Sequence, residues 1–177
     1  MKKSPGGFVL WLTGLPCSGK TTLSDIIAAE LLRKGLGVRQ LDGDALRSTI
    51  SKDLQYSKRH RGLQVARVSA IADDFSRSGS VAIVSLVSPY RSHRDRARKK
   101  INSFVEVHVD CPVGVCERRD VKGMYRLARQ GKIREFTGVS SPYEPPEKPE
   151  IVVDTARMNS QSCAGKIMEF LASNHYL

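Results

Sequence analysis

The segment Gly14-Leu15-Pro16-Cys17-Ser18-Gly19-Lys20-Thr21 constrains this chain more than any other. It fits G-x-x-x-x-G-K-[ST], a pattern expected by chance in fewer than about 1% of chains of this length. The apolar, β-prone run Phe8 to Leu12 leads into it, and residues 21–34 follow with Leu23, Ile26, Ile27 and Leu31 at helical spacing before Gly35. A strand, a tight loop and a helix are therefore predicted, the arrangement in which backbone N–H groups and a helix N-terminus converge on phosphate oxygens. Gly14 to Thr21, together with Thr22, are the candidate cradle for ATP. Lys20 is expected to reach the β- and γ-phosphates, and the Thr21 hydroxyl to coordinate Mg²⁺ bridging them. Cys17 is read as an ordinary small loop residue, with no chemistry assigned.

The alternation continues along the chain. Val38 to Leu41 reads as a second strand, residues 61–78 as a helix stopped by Gly79, and Val81 to Val87 as a strand buried on both faces. A basic helix near 91–101, the strand Phe104 to Val109, a helical stretch after Pro112, the strand Ile151 to Val153 and a C-terminal helix follow. This order predicts a three-layer α/β fold with a parallel sheet, of the P-loop nucleoside triphosphate hydrolase-like kind. Residues 1–177 are expected to form one such domain. The basic segment from about 122 to 138, with Gly123, Gly131 and Gly138, is expected to lie over the carboxyl edge of the sheet as a lid that excludes water.

Composition removes several classes. Hydrophobic residues at 40% and charged residues at 27% fit a soluble globular protein. The run Phe8 to Leu12 falls far short of the roughly 18 residues of a membrane span, and no targeting segment is read. Cys17, Cys111, Cys116 and Cys163 lack CxxC spacing, which fits a reducing cytoplasm. A net charge of +11 suits a polyanionic partner, whether nucleic acid or nucleotides. The densest run, Arg91 to Lys100, carries six cations in ten residues with no aromatic among them for base stacking. That absence favours a solvated helix face over a nucleic-acid groove.

A second constellation, Leu41-Asp42-Gly43-Asp44-Ala45-Leu46-Arg47, stands just beyond the second predicted strand. Ligands of open α/β sheets lie off the carboxyl ends of the strands, so a carboxylate here faces the phosphate loop. It can bind Mg²⁺ or accept a proton from an attacking hydroxyl, and Asp44 is the candidate base.

Taken together, these segments resemble the adenylyl-sulfate kinases, which phosphorylate the ribose 3′-hydroxyl of adenosine 5′-phosphosulfate. The resemblance runs nearly end to end. It rests on the phosphate loop, Leu41 to Asp44, Val87-Ser88-Pro89-Tyr90-Arg91, Arg119 to Tyr125, Phe136-Thr137-Gly138 and Pro142-Tyr143-Glu144-Pro145-Pro146. It implies MgATP and adenylyl sulfate as ligands. Tyr56 and Phe136 match the aromatics that sandwich the adenine, an interaction of roughly 1–3 kcal/mol per base. Arg47 and Arg61 match the arginines that hold the phosphosulfate, with Lys122 assisting. Asp44, Val87, Thr137 and Gly138 complete the implied acceptor site. Ser88 matches the serine that the family is described as phosphorylating, sometimes as a covalent intermediate. Direct in-line transfer needs no such step, and Ser88-Pro89 also reads as a turn at a strand end. Departures cluster between Arg61 and Arg67, where Leu63-Gln64-Val65-Ala66-Arg67 keeps an amide in longer form at Gln64 and lacks one arginine. They leave open a related kinase acting on another nucleotide or a small alcohol, and the charge leaves open a nucleic-acid-binding ATPase. The resemblance also admits a homodimer and a functional link to ATP sulfurylase as the source of the substrate.

Overall fold

The computed structural model describes residues 6–177. Strand β1 (Val9–Thr13) is buried at every residue, and the two faces of its pleat feed different cores. Phe8, Leu10 and Leu12 pack with residues of helices α1 (Lys20–Arg33) and α7 (Ser160–Ser173). Val9 and Trp11 pack with residues of α3 (Lys58–Arg77) and α4 (Arg91–Lys100). A strand covered on both faces must be apolar at consecutive positions, which is why it reads as a continuous run. Each such side chain removed from water contributes about 1.5–3 kcal/mol.

The sheet is parallel throughout, in the order β2 (Val38–Asp42), β3 (Val81–Ser85), β1, β4 (Phe104–Asp110), β5 (Ile151–Asp154). The order turns around at β1, so the loop leaving β1 opens into the crevice where ligands of such sheets bind. Short helices α2 (Gly43–Ser48), α5 (Val113–Arg119) and α6 (Met124–Arg129) cluster around that edge. A third, small apolar cluster joins Cys111, Cys116 and Tyr125 to Leu15, Cys17, Val115, Phe136 and Val139, so the phosphate loop and segment 122–138 share one core.

Three departures from the sequence expectation have a local physical cause. Helix α2 arises because the Asp42 side chain caps it, accepting from the Asp44 and Ala45 amides at 2.9 and 3.2 Å. Helix α3 starts at Lys58 rather than 61, capped by Ser57. Strand β3 stops at Ser85 rather than Val87, because the chain then turns through Ser88 at φ 38°.

The basic helix α4 is only half the solvated face that its composition suggests: Arg96, Lys99 and Lys100 are exposed, and the other three cations are tied into the fold. Arg94, 2% exposed, pairs with Glu106 at 2.9 Å and donates to the Ser88 and Glu144 carbonyls. Arg98 pairs with Glu106 and Glu150, and Arg91 with Glu147. These pairs clamp the proline-rich segment 142–150 against β4. No helix among the described residues is long and apolar enough to cross a membrane.

Candidate active site

The loop after β1 depends on two glycines. A Cβ on Gly14 would stand 2.5 Å from the Val109 carbonyl oxygen, and Gly19, the N-cap of α1, has φ 99°. Cys17 also turns through positive φ, at 62°. Lys20 Nζ folds back on the loop, donating to the Gly14 and Leu15 carbonyls at 3.0 and 2.7 Å. Burial pushes its ammonium down to about 8, opposed by the nearby thiols of Cys116 and Cys17 and the carboxylates of Asp44 and Asp42. The remaining loop carbonyls meet donors from elsewhere. Tyr125 Oη donates to Pro16 O at 3.0 Å, Thr155 Oγ1 to Ser18 O at 2.8 Å, and Arg119 reaches Cys17 O at 3.5 Å. Thr21 donates to Asp42 Oδ2 at 3.0 Å, while Thr22 is exposed.

Asp44 stands exposed on α2, its carboxylate held by Lys122 from segment 122–138. Beside it, Arg47 lies 4.3 Å from the centre of the Tyr56 ring and donates to the Leu54 and Gln55 carbonyls. Arg61, 8% exposed, donates to the Tyr56 carbonyl at 2.7 Å and to the Glu135 carbonyl at 2.5 Å. One guanidinium thus ties together the two segments that carry the candidate stacking rings. Tyr56 is half exposed, and Phe136 meets Tyr125 edge-on at 4.9 Å. Neither Arg47 nor Arg61 forms a salt bridge among the described residues. Burial, and then the neighbouring Arg47, hold the Arg61 pKa below its ordinary value.

The other candidates fall into two groups. Gln64 and Thr137 are buried with side-chain polar atoms that meet no protein partner. Such atoms cost about 1–3 kcal/mol each unless a ligand or water satisfies them. Gly138 brings the end of segment 122–138 against Leu15. Ser88 lies 3% exposed in a relay: Trp11 Nε1 donates to Ser88 Oγ at 3.2 Å, Ser88 to Thr13 Oγ1 at 3.1 Å, and Thr13 to the Val87 carbonyl at 2.8 Å. Its hydroxyl and its positive φ both belong to the turn after β3.

Asp42, Tyr125 and Thr155 take places in this site that sequence reasoning did not assign. Asp42 was legible as a helix cap, since an aspartate precedes the turn of α2. The Tyr125 and Thr155 contacts span 109 and 137 residues and leave no local signal.

The family model for adenylylsulphate kinase matches residues 6–154. The adenylyl-sulfate kinase of Synechococcus sp. (strain JA-3-3Ab) is 47% identical over 171 residues, covering 97% of each chain. The Mycobacterium tuberculosis APS kinase CysC, solved in complex with AMPPNP and APS, superposes with a TM-score of 0.90 at 37% identity, covering 95% of this chain and 99% of that one. A hexameric APS kinase from Thiobacillus denitrificans gives a TM-score of 0.75 at 30% identity, covering 98% of this chain and 30% of that one.

Proposed function

Since the chain belongs to the adenylyl-sulfate kinase family, we propose that it transfers the γ-phosphoryl group of ATP to the 3′-hydroxyl of adenosine 5′-phosphosulfate, giving 3′-phosphoadenylyl sulfate. One observation carries the reading at the level of the site. A phosphate loop shares its sheet edge with two arginines that lack carboxylate partners and stand beside an exposed aromatic ring.

The donor nucleotide lies in the phosphate loop, with Lys20 exchanging the loop carbonyls for phosphate oxygens as charge develops there. The acceptor lies across the edge, its adenine against Tyr56 and Phe136 and its phosphosulfate on Arg47 and Arg61. Asp44 takes the 3′-hydroxyl proton, and the Lys122 ammonium that pairs with it in the structure is free to turn to the acceptor's anion. The Thr21 hydroxyl and Asp42 carboxylate oxygens, 3.0 Å apart, form a hard-oxygen pair that suits Mg²⁺, a cation commonly held by one or two carboxylates plus phosphate oxygens. Held there, Mg²⁺ would supply neutralisation of phosphate charge. Ser88 shapes the floor of the pocket through its turn and is not an intermediate.

The test supplies MgATP with adenylyl sulfate, adenylate, cytidylate or shikimate and measures ADP. Adenylyl sulfate is expected to be the preferred acceptor, with Lys20→Ala and Asp44→Asn each losing most turnover. ADP no higher than with buffer would refute the acceptor, and full activity of Asp44→Asn would remove the base. Self-association and supply of the substrate by ATP sulfurylase in the cytoplasm belong to the same proposal, the first supported by the hexameric relative. Light scattering of the purified chain tests it, a monomer at all concentrations being the contrary result.

A further inference from the structure

Every carbonyl of the phosphate loop from Gly14 to Ser18 is claimed by a donor. Lys20 takes Gly14 and Leu15, but Pro16 is taken by Tyr125 and Ser18 by Thr155. The C=O and N–H of one peptide unit point in opposite directions, so fixing a carbonyl outward aims the next residue's N–H inward. The Pro16 carbonyl governs the N–H of Cys17, and the Ser18 carbonyl governs that of Gly19. Cys17 at φ 62° and Gly19 at φ 99° are the loop's two left-handed positions, where the peptide planes are least determined by local preference.

Resting on the reading that ATP binds this loop, we infer that Tyr125 and Thr155 are positioning residues that hold the phosphate cradle in its binding shape from outside. Tyr125 comes from α6 of the lid segment and Thr155 from the turn after β5, so the loop is gripped from two sides. Tyr125 is 1% exposed, and burial holds its hydroxyl far above the ordinary tyrosine range, so it donates at any working pH. It has a second role that Thr155 lacks. Its ring meets Phe136 edge-on at 4.9 Å, within the small core shared by loop and lid. The same side chain thereby backs the acceptor's stacking ring and orients the donor's cradle.

The experiment measures binding of a nonhydrolysable ATP analogue with Mg²⁺, and of adenylyl sulfate, to the full chain and to three variants. Wild-type binding of the analogue is measured first, and its absence would sink the reading of the loop itself. Tyr125→Phe and Thr155→Val each remove one hydroxyl and keep the packing. Each is expected to weaken the analogue by about three- to tenfold, the range of a single buried hydrogen bond, while adenylyl sulfate stays within about twofold. Tyr125→Leu, which also removes the ring, is expected to weaken both ligands. Analogue affinity unchanged in Tyr125→Phe and Thr155→Val overturns the inference. So does an equal loss for both ligands in Tyr125→Phe and Thr155→Val together with a lower melting temperature, which marks a purely structural role. Should one hydroxyl variant fail to fold, the other decides.

Discussion

Arg94 and Arg61 are both buried, at 2% and 8% exposure, yet they are solvated by the protein in opposite ways. Arg94 has a carboxylate, Glu106, at 2.9 Å, with two carbonyls for its other nitrogens. Its charge is cancelled within the fold. Arg61 has two carbonyls and a neighbouring arginine, and no carboxylate pairs with it. Carbonyl dipoles orient a guanidinium but do not neutralise it, so Arg61 keeps an unmet demand for an anion. Arginine count therefore says little about ligands, and the identity of each partner says a great deal. The dense run of α4 sets Arg91, Arg94 and Arg98 against carboxylates and leaves Arg96, Lys99 and Lys100 in solvent, whereas Arg47 on α2 and Arg61 on α3 stand beside the phosphate loop with no carboxylate partner.

Replacing each arginine tests that contrast. Arg61→Ala is expected to lower kcat/KM for adenylyl sulfate by about a hundredfold or more, the cost of removing one partner from a buried charged contact. The loss should be much smaller for a nonhydrolysable ATP analogue, and equal losses for both would break the contrast. Arg94→Met should instead destabilise the fold by about 3 kcal/mol in urea unfolding, because Glu106 loses its main partner, and leave the KM for adenylyl sulfate near wild type. An Arg94 variant that folds normally but binds no acceptor would reverse the assignment.

Lys20 adds a buried cation that titrates. At its value of about 8 the ammonium is largely present at neutral pH, before phosphate oxygens arrive. Above that point binding must also take up a proton, so the dissociation constant of the ATP analogue should rise with pH, by up to about tenfold per unit. A constant that stays flat through about pH 9.5 would show that Lys20 remains charged in the free chain. The smallest effect belongs to Arg67, whose pair with Asp53 is solvent-exposed. Arg67→Ala should leave the urea-unfolding midpoint close to wild type, with at most a small loss. A larger loss, or one accompanied by loss of acceptor binding, would place Arg67 in the site.

How much of this was legible follows from the range of each interaction. The doubly buried strands announce themselves because burial on both faces writes a continuous apolar run, and the phosphate loop because its glycines and lysine lie within eight residues. Helix α2 carries no apolar periodicity and exists through the Asp42 cap. The pairing of Arg91, Arg94 and Arg98 is hidden for a similar reason: the carboxylates that meet them, Glu106, Glu147 and Glu150, sit on β4 and the segment leading to β5. Strain is also invisible in sequence. Of the four non-glycine residues with positive φ among those described, Cys17, Ser88 and Glu135 border the site, at a cost of about 1–3 kcal/mol each.

The most direct measurement is a crystal structure of the chain with a nonhydrolysable ATP analogue and adenylyl sulfate bound together. The account predicts an adenine ring between Tyr56 and Phe136, with phosphosulfate oxygens in salt-bridge contact with Arg47 and Arg61. An acceptor base bound away from both rings, or an Arg61 still making only its two carbonyl contacts, would contradict it.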